Sequence, residues 1–336
     1  MPTHRSTATR IAAAAFALAF ALAGCGSDDG AAPVAAAPSP PPAGPAAVDN
    51  CGVEVAPPQA PDRVVTMNQA ATEVMLTLGL ADRMAGTAYL DDDVLPELAA
   101  DYAKVPVLAK EYPSREALLK AESDFVYASY PSAFEADAAG SREELARLGV
   151  VSYLSPAACA DRDDADPLTL EDVWDEILEV GTVFGVRDRA EQVVAAQRAT
   201  VEKARAGLRS ADPLRALWWD GGTDAPSAGA CCGAPGMVMA ALGVTNVFGS
   251  LPGGWADASW EAVVKAGPDV IVLVDASWDT AASKRAFLES DPVTRELRAV
   301  AEGRLVTVPF SATTPGVRNA DAVAELSASL AALPSE

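Results

Sequence analysis

The chain has 336 residues, with 25 Lys and Arg against 47 Asp and Glu, one histidine, and a formal charge of −22 at pH 7. That balance excludes a nucleic-acid footprint, which would be basic. By itself it identifies no cationic ligand, because an acidic exterior also keeps a chain soluble. The lone histidine, His4, falls in a secretion signal. Once that signal is removed no imidazole remains, which excludes histidine-based triads, histidine zinc sites and histidine heme ligation.

Met1–Gly24 reads as the signal: Arg5 and Arg10 are its positive start, and Ile11–Leu22 is its apolar run. That run is shorter than the roughly 20 residues a membrane span needs. Leu22-Ala-Gly-Cys25 closes the signal as a lipobox, so Cys25 is the expected lipid acceptor, anchoring the chain to the extracytoplasmic face of the cell membrane. Residues 25–50, rich in Ala and Pro, cannot bury a core and read as a tether. The rest divides into an α/β lobe at 51–168, helices at 169–210 and a second α/β lobe at 211–336.

In the first lobe, Arg63–Met67 predicts a strand and Asn68–Leu78 a helix stopped by Gly79. Strands are expected at Arg83–Ala88, Val105–Leu108, Phe125–Ser129 and Val150–Leu154. Ser141-Arg-Glu-Glu144 predicts a capping box for a helix ending at Gly149. Thr169-Leu-Glu-Asp172 caps a helix to about Phe184, and a longer one follows Gly185 with Ala190, Val194, Gln197, Val201, Ala204 and Leu208 as its stripe. These two helices read as a bridge. The second lobe is expected as strand Leu214–Trp219, Gly-rich loop Asp220–Gly233, a helix from Pro235 to Leu242, and strand Val270–Val274. Helices near Ser283–Glu289 and Thr294–Val300, strand Leu305–Pro309 and helix Val317–Leu333 complete it. Alternating helix and strand predicts parallel sheets with helices on both faces.

One segment occurs twice without a gap. Ser114-Arg-Glu116-Ala-Leu-Leu-Lys120-Ala-Glu-Ser-Asp124 is echoed by Ser259-Trp-Glu261-Ala-Val-Val-Lys265-Ala-Gly-Pro-Asp269, each running into a buried strand. Each copy reads as an N-capped helix, a turn and a strand, and two copies imply two similar lobes with a cleft between them. Cys51 and Cys159 would join the start and end of the first lobe as a disulfide. The adjacent Cys231-Cys232 admits a disulfide, two thiols or a metal site, although a metal would lack histidine partners.

Ligands of open parallel sheets meet the loops at the carboxyl ends of strands. Those loops carry Tyr89, Tyr112, Tyr130, Phe134, Trp278 and Phe310, with Trp219 adjoining, a set suited to a flat or conjugated ligand. Lys110 and Arg318 are the basic candidates there; Arg318 lies near a helix start where an anion could be met. Asp220, Asp275 and Asp91 could receive hydroxyls or cap loops. No Gly-x-Ser-x-Gly elbow, phosphate-cradling loop or dinucleotide fingerprint is present, so no catalytic residue, metal or cofactor is assigned. An exported α/β enzyme is the competing reading.

The ordered set Thr72-Glu73…Leu78-Gly79-Leu80…Arg83, Glu116-Ala-Leu-Leu-Lys…Asp124-Phe-Val, Leu242-Gly243-Val…Asn246-Val-Phe248 and Ser259-Trp-Glu261…Pro268-Asp269-Val resembles class III solute-binding proteins of ABC importers for ferric siderophores, heme and cobalamin. The resemblance implies two Rossmann-like lobes joined by a long helix, a small-molecule ligand between them, a monomer, and a permease with its ATPase subunits as partner. It implies that Glu116 and Glu261 dock on permease arginines. Each also sits in a first helical turn, where the helix dipole favours its charge without any partner. Ser155-Pro-Ala-Ala-Cys159, Pro167-Leu-Thr, Gly233-Ala-Pro and Val308-Pro-Phe310…Gly316-Val-Arg-Asn319 resemble an actinobacterial branch proposed to import the phospholactyl deazaflavin precursor of coenzyme F-420. Cys231-Cys232 departs from the small residues expected in that ligand loop.

Overall fold

A computed structural model describes residues 46–208 and 214–333. The expected signal, the lipid-acceptor Cys25 and the tether up to residue 45 lie outside the described residues. Residues 48–50, placed in the tether by composition, instead form strand β1 (Val48–Asn50), paired antiparallel with β2 (Val53–Val55). Cys51 (φ 55°) and Gly52 (φ 71°) make the two-residue left-handed turn that suits a twisted hairpin. Buried Asn50 fixes the hairpin to the first lobe: its amide donates to the Leu154 carbonyl at 2.8 Å, and its Oδ1 accepts from Leu154 N at 2.9 Å. A disulfide joins Cys51 to Cys159, with Cα atoms 5.2 Å apart.

The first lobe runs β3 (Val64–Met67), α1 (Gln69–Thr77), β4 (Met84–Ala88), α2 (Ala99–Tyr102), β5 (Val107–Ala109), α3 (Arg115–Lys120), β6 (Phe125–Ala128), α4 (Arg142–Arg147) and β7 (Val151–Leu154). Its sheet is parallel throughout, in the order β5-β4-β3-β6-β7. Every residue of β3 and β6 is buried, as strands covered on both faces require. Gly79, at φ 75°, ends α1, and the Ser141–Glu144 capping box starts α4.

Helix α5 (Leu170–Val183) starts on a Thr169–Asp172 capping box and is followed by α6 (Arg187–Gly207). Ala190, Val193, Val194, Val201 and Ala204 are the buried face of α6. Gln197, on the same stripe, accepts from the Trp174 indole at 2.9 Å and donates to the Val317 carbonyl at 3.1 Å, linking both helices to the second lobe.

The second lobe contains β8 (Arg215–Gly221), β9 (Ser227–Gly229), α7 (Ala234–Ala241), β10 (Thr245–Asn246), β11 (Trp255–Asp257), α8 (Trp260–Ala266), β12 (Val270–Asp275), α9 (Ala281–Ser290), α10 (Arg298–Ala301), β13 (Leu305–Pro309) and α11 (Asn319–Ala331). Its sheet follows the order β11-β9-β8-β12-β13, with β10 beside the start of β8. Here the expectation of a purely parallel sheet fails. β9 folds back antiparallel to β8, and β11 pairs antiparallel to β9. Gly222, at φ 82°, permits the reversal inside the segment read as a loop. The helix expected at Thr294–Val300 is broken by extended Leu297 (φ −61°, ψ 133°) into a 3-10 turn at Thr294–Glu296 and the single turn α10. One apolar core runs from Val64 and Tyr127 through Ile177 and Val201 to Trp218 and Val272, so the lobes share it.

Candidate functional site

The carboxyl ends of β3, β4 and β6 bring Asn68, Tyr89 and Tyr130 to one edge of the first lobe. Asn68 (φ 78°, ψ 162°) and Tyr89 (φ 59°) hold backbone conformations rare for residues with a Cβ. Such strain costs of order 1–3 kcal/mol and gathers at ligand sites. It is stabilised locally. Asn68 N donates to the Ala88 carbonyl at 3.0 Å, and its Oδ1 accepts from the Tyr112 hydroxyl at 3.2 Å. Tyr112 also shares a hydrogen bond with Ser132 at 3.0 Å and meets Tyr89 edge-on, with ring centroids 4.7 Å apart.

The second lobe presents Trp278, after β12, and Phe310, after β13, as an edge-on pair at 4.8 Å. The Tyr130 hydroxyl crosses to Thr314 Oγ1 at 2.6 Å. Between these groups lies a cavity of about 720 Å³ lined by all five aromatic residues. Its size falls within the usual range for small-molecule sites. Trp278 is 61 % exposed, a large apolar surface left on the rim. Four carboxylates, Asp91, Glu111, Glu135 and Asp137, share the lining. Burial, then repulsion from Asp92, pushes the Asp91 carboxyl up. Burial also raises the Tyr89 phenol, reinforced by Tyr112, Asp91 and Glu111.

Tyr89, Tyr112, Tyr130, Trp278 and Phe310 are thus brought together from the sequence-derived set. The others sit elsewhere. Trp219 is buried in the sheet core, edge-on to Trp260 at 5.1 Å, its indole donating to the Gly221 carbonyl at 2.7 Å. Its place in β8 points it at α8 and α9 rather than at the cavity. Asp220, next to it, is half-buried and outside the lining; burial raises its carboxyl against the attraction of Lys284. Lys110 is exposed and also outside the lining. Phe134 packs on the first lobe, beneath the Arg142 guanidinium at 6.0 Å.

Arg318 does not offer an open anion site. Its guanidinium grips buried Glu73 with two bonds of 2.7 and 2.6 Å and donates to the Asp93 carbonyl at 2.6 Å. Burial opposes its charge, but the bonds and attraction of Glu73 more than offset that and hold it above its ordinary value. Sequence reasoning missed this pair and also Lys284, a buried ammonium donating to the carbonyls of Val274 at 2.7 Å and Asp279 at 2.6 Å. Lys284 fixes the turn that carries Trp278. The signal available was a lysine one helical turn after the Thr280 cap, which reads as solvated unless the turn folds over it.

A neighbouring recess of about 330 Å³ is lined by Tyr130, Cys159, Arg162, Cys232 and Trp255 among others. Cys231 and Cys232 are joined as a vicinal disulfide. The Asp164 carbonyl accepts from Gly253 N at 2.7 Å, strapping the first lobe to the second beside that disulfide. Among the described residues no group of three or more His, Cys, Asp or Glu could hold a metal ion, and no helix is long and apolar enough to cross a membrane.

Glu116 and Glu261 are both exposed in the first turns of α3 and α8. Ser114 Oγ accepts from Ala117 N at 3.3 Å, and Ser259 Oγ from Ala262 N at 3.2 Å, so the two copies start alike. Bonds from its own backbone N–H and from Ser259 hold the Glu261 carboxyl below its ordinary value.

The family profile described as periplasmic binding protein matches residues 64–312. None of the curated proteins matches the sequence. Among solved structures, a periplasmic binding protein from Veillonella parvula is 28 % identical, with TM-score 0.77, over 86 % of this chain and 98 % of that one. An ABC-type Fe3+-hydroxamate transport system structure from Saccharomonospora viridis is 22 % identical, with TM-score 0.70, over 85 % and 98 % of the two chains. A periplasmic heme-binding protein from Roseiflexus sp. RS-1 is 22 % identical, with TM-score 0.63, over 80 % and 98 %. The last two share the fold.

Proposed function

Because the chain belongs to the periplasmic binding protein family, we propose that it is the capture subunit of an ABC importer. It takes a small organic molecule between its lobes and passes it unchanged to a permease. The observation that carries this reading is the aromatic cavity, built by strand ends of both lobes and rimmed by an exposed tryptophan. In this account Cys25 carries the lipid anchor outside the membrane, the chain is a monomer, and the exposed first-turn Glu116 and Glu261 meet the permease.

The phospholactyl deazaflavin that the branch resemblance favours carries a phosphate and a carboxylate, which, from sequence, Arg318 is expected to suit. Arg318 is engaged by Glu73, and Lys110 stands outside the cavity. The cavity therefore favours a conjugated or chelate-like ligand without phosphate, closer to the ferric-hydroxamate kind named for the Saccharomonospora structure. Purification followed by absorbance and mass spectrometry of the co-purifying molecule tests this. A ferric chelate band is expected. A deazaflavin chromophore would reverse the ligand choice, and turnover of the bound molecule would replace capture by catalysis.

A further inference from the structure

We propose that the captured ligand carries positive charge, a protonated amine or quaternary ammonium on its organic body, and that the cavity discriminates against anions. This rests on the capture reading above and specifies its ligand. The cavity lining holds four carboxylates and no lysine or arginine. None of Asp91, Glu111, Glu135 and Asp137 has an ion-pair partner among the described residues.

Most basic residues around the cleft are engaged elsewhere, and Lys110, exposed beside Glu111, stands outside the lining. Arg318 is bound to Glu73 and Lys284 to its own turn. Arg142 donates to Asn50 and to Ser152. Arg162 lines only the neighbouring recess, where Asp163 and Asp164 outnumber it. An anion entering the cavity would meet negative potential with no counter-charge in the lining, at a site where Asp91 is already half-buried. A cation meets the reverse. The faces of Tyr89, Tyr112, Tyr130, Trp278 and Phe310 attract an ammonium through their ring quadrupoles, most strongly where water is displaced. The whole-chain charge of −22 adds long-range steering of the same sign. Aromatic walls alone would take a neutral ligand equally well. The unpartnered carboxylates supply the discrimination.

A charge series on one body tests this. A linear ferric trihydroxamate is prepared with its terminal amine free, acetylated or succinylated, and each form is titrated into the purified chain by tryptophan fluorescence. The free amine is expected to bind at least about tenfold more tightly than the succinylated form, with the acetylated form between, and the gap is expected to shrink at about 0.5 M salt. The same series on the D91N/E111Q/E135Q/D137N variant is expected to lose the ordering. Equal affinities, or tighter binding of the succinylated form, would overturn the charge inference and leave capture standing. Failure of all three forms to bind would remove the capture reading for this ligand class, and the charge inference with it.

Discussion

Glu73 has no measurable exposure, and Arg318 is the cation that satisfies it from the other lobe. A buried pair is poor evidence of net stabilisation, but breaking one partner leaves an uncompensated charge. Arg318→Ala is therefore expected to destabilise the fold by about 3–5 kcal/mol, read from denaturant midpoints. Lysine should not rescue it, because a point charge cannot reproduce the two-pronged bond. Unchanged stability would return Arg318 to the list of ligand contacts. Glu176 shows a different use of a buried acid. Tyr127 donates to it at 2.6 Å and Ser155 at 2.7 Å, yet burial dominates and pushes its carboxyl from 4.5 up to about 7. The folded state then holds a proton that the unfolded chain releases near 4.5. This group's contribution to stability is greatest below that pH. It falls by about 3 kcal/mol as the pH rises to 7 and beyond. Urea melts at pH 5 and pH 8 should show the decline, and Glu176→Gln should flatten it.

At the scale of elements, α3 and α8 present equivalent glutamates on separate lobes. The Glu116→Ala/Glu261→Ala double variant should abolish uptake by cells while leaving ligand affinity unchanged. Loss of affinity would refute a docking role. The Cys51–Cys159 disulfide closes a loop of 108 residues and ties the β1–β2 hairpin to the end of the first lobe. Replacing both cysteines by serine should cost about 5 kcal/mol in thermal or urea unfolding, on the chain-entropy argument. The long, periodic pieces were legible: the buried runs of β3, β6 and β12, the Thr169 and Ser141 capping boxes, and the stripe of α6. The short antiparallel strands were not. β9 is Ser-Ala-Gly and β11 Trp-Ala-Asp, too short for alternation to register, and their pairing is set by a glycine turn rather than by apolar pattern. β1 was hidden because a cysteine occupies the left-handed turn position where Asn or Gly signals a hairpin. At the site, loop placement brings five of the aromatic residues to the cavity, whereas Trp219 and Arg318 turn away from it for one reason. Chain position gives the strand end, whereas the side chain's face depends on tertiary partners, Trp260 for one and Glu73 for the other.

For the whole molecule, the continuous core and the bonds between lobes limit how far the cleft can open. Besides Tyr130–Thr314 and Glu73–Arg318, Ser311 N donates to Asp92 at 2.8 Å. Separating the lobes would expose apolar surface shared by α5, α6 and α11, at about 25 cal/mol per Å². Capture is thus expected to proceed with little hinge motion, the loops and exposed Trp278 adjusting around a cavity that already exists. Hydrogen exchange of the chain, with and without its co-purifying molecule, tests this most directly. The account predicts simultaneous protection at 88–91, 110–113 and 129–132 in the first lobe and at 276–279 and 310–314 in the second. Protection confined to one lobe, or located away from these strand ends, would contradict a ligand held between the lobes.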